Sequence, residues 1–139
     1  MTTELRHAHI IVKIPFHDLD PAGIVWHGNY SKYFEIARCE LLQSFNYNYD
    51  EMMRSGYLWP IIDLQLRYVK AARFGDLLRV EARLREWEHR LKIDYRITDA
   101  ASGARVCKGS SVQVAVRMDS HEMCLRSPDI LFQRLGLPP

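Results

Sequence analysis

Cysteine pairing is the first thing missing. The chain has three cysteines, Cys39, Cys107 and Cys124, an odd number at wide spacing with no Cys-x-x-Cys pair. That argues against a disulfide framework or a cysteine-built zinc site and fits reduced thiols in a cytoplasmic protein. Cys39 reads as a small core residue on a helix rather than as a nucleophile. Long apolar runs are absent too. Nothing approaches the length needed to span a bilayer, and Met1 to Arg6 lacks the apolar stretch of a secretory leader. There is no block of like charge: 19 basic and 17 acidic residues are interspersed to a net charge of +2, which leaves no footprint for nucleic acid. A Gly-x-Ser-x-Gly elbow is lacking, so a serine-hydrolase triad has no local support. His7 and His9 would share one face of a strand, yet no cysteine or carboxylate stands beside them at ligand spacing. Neither a metal nor a cofactor is expected.

What is present is enough for one domain over residues 1–139, since 47% of the residues are hydrophobic and 26% charged. Residues 1–8 read as a ragged start and 9–15 as a strand closed by Pro15. Tyr30, Phe34, Ala37, Leu41 and Phe45 recur at steps of three and four, which predicts a long helix ending near Phe45. Asp50 to Arg54 form a short helical turn stopped by Gly56. After Pro60, Ile62, Leu64, Leu66 and Tyr68 alternate with polar residues. A turn at Gly75-Asp76 precedes the cleanest alternation, Leu78, Val80, Ala82 and Leu84, and Leu91, Ile93, Tyr95 and Ile97 repeat it. Asp99 to Gly103 is a hairpin turn. A long strand over about 104–118 follows, with Gly109 as a candidate bulge. Ser127 and Pro128 read as the cap and first residue of a last helix that stops at Gly136. One apolar helix and four or five half-buried antiparallel strands bury each other in one way, as a curved sheet packed on the helix, an α+β fold.

The densest chemistry lies between His17 and Leu42. Pro21 and Gly23 make the first half a loop, and Asn29 or Gly28 is the candidate cap of the helix that follows. Asp20 therefore sits in a turn just ahead of a helix, whose first N–H groups have no intrahelical partners and carry partial positive charge. Such an end can hold an oxygen on which negative charge develops. A carboxylate beside it makes a small reaction site. Asp18 reads as a hydrogen-bond partner within the loop.

The run Asp18-Leu19-Asp20-Pro21-Ala22-Gly23-Ile24-Val25-Trp26-His27-Gly28-Asn29-Tyr30 resembles the signature of hotdog-fold acyl-CoA thioesterases, the group of the 4-hydroxybenzoyl-CoA and bacterial envelope-cluster enzymes. Lys70 to Val80 is similar to the family's strand connection, with Ala71 where a proline is usual. Glu86-Trp87 followed by Arg90, and Leu125-Arg126, are similar to stretches that meet the nucleotide end of coenzyme A, although Glu88 puts an acid into a run that is otherwise basic. The resemblance implies a hotdog fold, a five-stranded antiparallel sheet wrapped around one long central helix. It implies hydrolysis of an acyl-CoA thioester, with Asp20 as nucleophile or general base and the N–H of His27 polarising the carbonyl. Trp26, Asn29, Glu35, Trp59, Arg90 and Arg126 are the candidate substrate contacts, with Glu35 alternatively a buried partner of Arg38. An acyl-carrier-protein substrate and a non-catalytic acyl-binding module stay open as alternatives. The resemblance further implies a homodimer or homotetramer with the site between subunits, and neither a nucleic-acid partner nor a membrane span.

Overall fold

The computed structural model describes residues 6–139. Five strands form one antiparallel sheet: β1 (His7–Lys13), β3 (Ile61–Tyr68), β4 (Leu77–Glu86), β5 (Leu91–Asp99) and β6 (Arg105–Gln113), in the order β1-β4-β5-β6-β3. The long helix α1 (Asn29–Ser44) crosses its inner face. The alternation along β4 and β5 explains the layering. Leu78, Val80, Ala82, Leu84, Leu91, Ile93 and Ile97 are buried beneath the helix with Phe34, Ala37 and Leu41, while the intervening charged side chains face outward. The short helix α2 (Tyr49–Arg54) opens with a capping box between Asn48 and Glu51, and α3 (Asp129–Leu135) ends at Gly136 with φ +73°, the left-handed turn that suits glycine.

Four expectations are corrected. The ragged start is strand from His7 onward, because β1 pairs with β4 over its whole length; residues 1–5 lie outside the described residues. The long strand over 104–118 is two: β6 ends at Gln113, and Val116–Arg117 (β7) pairs instead with Tyr57–Leu58 (β2) in a separate ribbon. Residues 111–115 are all buried, so the period-two pattern fails where β6 ends and the chain turns toward β7. Gly109 is not a bulge. It lies in unbroken register with Tyr95 and Leu66, and a Cβ there would collide with the Gln65 carbonyl and come within 2.7 Å of the Phe34 ring. The last helix is not capped by Ser127: Pro128 holds the cap position without a side-chain bond, and the buried Ser127 hydroxyl has no partner.

Candidate active site

The loop between the 3-10 turn Phe16–Asp18 and α1 is built by backbone hydrogen bonds. Leu19 bridges Val25, the Asp20 N–H donates to the Ile24 carbonyl at 2.8 Å, and Gly23, at φ +81°, donates back to the Asp20 carbonyl at 3.0 Å. The Val25 N–H donates to the Ala72 carbonyl at 2.9 Å and the Ala72 N–H donates to the Tyr30 hydroxyl at 3.2 Å. These bonds dock the loop on the connection ahead of β4.

Asp18 clamps both ends of this loop. Its carbonyl accepts the Trp26 N–H at 3.0 Å and the Asn29 side-chain amide at 2.9 Å. Its carboxylate, 3% exposed, accepts the Tyr33 hydroxyl at 2.6 Å and the Lys32 ammonium at 3.0 Å. Burial pushes the Asp18 carboxyl up, but Tyr33 and Lys32 together outweigh it and hold it below the ordinary carboxylate value. Tyr33 is driven upward in turn, by burial and by this carboxylate.

Asp20 stands at the open side of the clamped loop. One carboxylate oxygen accepts the Ala22 N–H at 2.8 Å, and the other has no hydrogen-bond partner among the described residues. Further along, the N–H groups of His27 and Gly28 donate to no group among the described residues, while the His27 carbonyl is held by the Tyr68 hydroxyl at 2.9 Å. Gly28, not Asn29, is the helix cap, and it supplies no side-chain bond. The Trp26 ring lies flat against the Gly28 backbone, so a Cβ there would strike it. Trp26, His27, Tyr68 and Tyr30 form an aromatic chain with centroid spacings of 5.1, 6.4 and 5.5 Å. The site thus joins an available carboxylate, unsatisfied amides at the head of a 16-residue helix and an exposed aromatic wall.

The other candidates separate. Asn29 is on the site loop, with its amide committed to the Asp18 carbonyl. Glu35 does reach Arg38, at 3.5 Å, but its side chain is 60% exposed, so it is not the buried partner expected. The buried Arg38 is served instead by the hydroxyls of Tyr49 and Tyr95, each at 3.1 Å. Trp59 is a core residue, donating to the Tyr47 hydroxyl at 3.3 Å. Arg90 is bound bidentately by Glu86 at 2.9 and 3.1 Å. Arg126 lies over the Phe132 ring at 4.6 Å and lines a hollow of about 350 Å³ with Trp87 and Glu88; Arg90 is not part of it. Sequence reasoning missed Tyr68 as a site residue. Its inward parity in the 62–68 alternation is the signal that marks it.

Burial pushes the Cys39 thiol up and the Cys107 thiol to about 11, which argues against either as a nucleophile. No group of three or more potential metal ligands occurs among the described residues, and no helix there is long and apolar enough to cross a membrane.

Comparison with known proteins identifies the family. The family model described as the thioesterase-like superfamily matches residues 14–133. The 4-hydroxybenzoyl-CoA thioesterase of Pseudomonas sp. is 28% identical over 113 residues, covering 77% of this chain and 74% of the relative. A Synechocystis protein described as an esterase is 28% identical over 127 residues, covering 91% of this chain and 76% of its own. Among solved structures, a 1,4-dihydroxy-2-naphthoyl-CoA thioesterase from Synechocystis superimposes with a TM-score of 0.83 at 18% identity, over 94% of this chain and 96% of that one.

Proposed function

The chain belongs to the thioesterase-like superfamily and is an acyl-CoA thioester hydrolase like its relatives; on that premise we propose that Asp20 and the His27 N–H carry the reaction. A thioester asks little of its enzyme. The leaving thiolate has a pKa of about 8.5, as free cysteine does, and departs without a strong general acid. What is needed is a carboxylate to attack the carbonyl carbon or to activate water, and donors for the oxygen that gains charge. The partnerless oxygen of Asp20 meets the first need by either route. The free His27 and Gly28 amides, reinforced by the dipole of α1, meet the second.

The observation that carries this reading is that one clamp, Asp18, fixes both the turn bearing Asp20 and the helix start bearing the amides. The test is release of coenzyme A from a series of acyl-CoAs by wild type and Asp20→Asn. A loss of about 10²-fold or more in kcat is expected, with folding intact. Wild-type turnover in Asp20→Asn would refute the assignment.

The substrate contacts we propose are Trp26 and Tyr68 along the acyl path and the Trp87–Arg126 hollow for the far end of the carrier. The tie between Arg90 and Glu86 favours acyl-carrier protein as a second substrate form, because it withdraws a cation from coenzyme A phosphates. Equal acyl groups on the two carriers decide the matter by kcat/KM. We further propose a cytoplasmic homodimer through β3. Among the described residues that edge strand pairs only with β6, and it exposes Ile61, Ile62, Leu64 and Tyr68, an edge that proteins ordinarily cover. A second copy there would sit beside Tyr68 and so beside the site. Monomeric sedimentation at micromolar concentration would overturn this.

A further inference from the structure

The face of the sheet turned away from α1 carries a second, chemically different site. A hollow of about 640 Å³ is lined there by five cations, among them Arg83 and Arg85, and two carboxylates, Glu81 and Asp94. The excess exceeds the net charge of +2 on the whole chain. The carboxylates are already engaged: Glu81 with Arg79 and Arg83 at 3.6 and 3.9 Å, and Asp94 with Arg85 at 3.3 Å. The other three cations, Arg96, Lys108 and Arg67, have no carboxylate within ion-pair distance among the described residues. They are direct cross-strand neighbours, Arg96 opposite Lys108 on β5 and β6, and Lys108 opposite Arg67 on β6 and β3.

Like charges placed directly opposite on adjacent strands repel and destabilise the sheet. Three in a row span about 10 Å at ordinary strand spacing, the scale of a short chain of phosphates. Ser110 and Gln65, paired two residues along the same strands, add neutral hydrogen-bonding groups beside the row. We propose that this hollow binds a small polyanion of the phosphate class, with Arg67, Arg96 and Lys108 as the charged contacts. The arginine forks take paired oxygens and the lysine acts as a point charge.

Charge placement selects among occupants. Glu81 and Asp94 flank the row, so an extended polyanion such as duplex DNA, or a flat anionic membrane, would meet carboxylates on the same footprint. A second copy of the chain docked by a two-fold axis would set the row against itself. A compact oligophosphate or the triphosphate of a nucleotide meets neither obstacle. The site also lies on the opposite face of β3 from Tyr68, so it is separate from the hydrolytic site.

The test is calorimetric titration of tripolyphosphate, and of ATP in parallel, into wild type and into Arg96→Glu and Lys108→Glu at low ionic strength. Tripolyphosphate should bind wild type, and each reversal should weaken binding about tenfold or more, with acyl-CoA turnover unchanged; Lys108→Glu, which sets opposite charges beside Arg96 and Arg67, should not lower the thermal midpoint. Tighter binding of ATP than of tripolyphosphate identifies a nucleotide as the source, and the reverse order identifies free oligophosphate; both support the site. A milder Lys108→Gln should fall between wild type and reversal, which separates charge loss from misfolding. No binding by wild type overturns the proposal. So does stronger binding to duplex DNA or anionic vesicles than to tripolyphosphate, or a matching rise in KM for acyl-CoA, which would make the row part of the substrate site.

Discussion

The Tyr33 hydroxyl donates to the Asp18 carboxylate at 2.6 Å inside the protein, tying the first turns of α1 to the residue whose backbone carbonyl holds Trp26 and Asn29 at the end of the Asp20 loop. Tyr33→Phe removes this donor and leaves Lys32 as the remaining hydrogen-bond donor to the buried carboxylate among the described residues, with His17 at 3.6 Å. A loss of about 1–3 kcal/mol is expected, read by denaturant unfolding. A loss below a few tenths would show that the bond is not structural.

The same carboxylate sets an acid limit. Its folded value is depressed below the ordinary aspartate value, so the unfolded chain binds the proton more readily. The stability it contributes is fully present above the unfolded value. It is lost as pH falls through the lower folded one. Wild-type unfolding free energy should therefore decline below about pH 4, and Tyr33→Phe should make that decline shallower. An unchanged acid limb in the variant would exclude Asp18 as its source.

Tyr68→Phe tests the other brace of the loop. The Tyr68 ring is half exposed, and its hydroxyl holds the His27 carbonyl, so its loss frees the peptide next to the N–H proposed to polarise the thioester. The expected result is a fall in kcat of about tenfold or less, about 1.4 kcal/mol, with the thermal midpoint nearly unmoved. A change confined to KM would leave Tyr68 as a substrate contact and exclude its role as a brace of the loop.

Arg38 and Tyr95 make an asymmetric pair. Tyr95 also bonds the Ser111 hydroxyl at 2.6 Å, so its oxygen keeps a partner in Arg38→Met. Tyr95→Phe instead leaves a buried guanidinium short of an acceptor. Tyr95→Phe should cost about 1–3 kcal/mol, more than Arg38→Met, which trades a buried charge for apolar volume. The reverse order in urea midpoints would contradict this.

Gly109→Ala should destabilise by about 1–3 kcal/mol through overpacking, because its Cβ would meet both the Gln65 carbonyl and the Phe34 ring. Normal stability would mean that β3 or α1 shifts freely. Phe34→Leu in the same chain should recover part of the loss.

Much of this was legible in the chain. Leu78 to Leu84 and Leu91 to Ile97 alternate because each strand has one wet and one dry face, and both fell where the period placed them. The Asp20 turn and the helix start were readable from Pro21, Gly23 and the three-and-four spacing after Tyr30. What stayed hidden were effects of tertiary position. β3 alternates like a core strand, yet as an edge it leaves Ile62 and Leu64 exposed. Residues 111–115 lose their period where β6 ends and the chain turns toward β7. The commitment of Asn29 to Asp18 spans eleven positions, beyond any local pattern.

The strand order has a bearing on how the protein is made. Among the described residues β6 is the only neighbour of β3, and it also closes one flank of β5, while β1 waits for β4, some seventy residues downstream. Ladders between such distant segments form slowly, since a long span of chain must be restrained first. A polypeptide interrupted before Arg105, where β6 begins, would leave the apolar rim of β3 with no strand to lie against. Synthesis through β6 is therefore the step that separates a chain prone to aggregate from one able to fold.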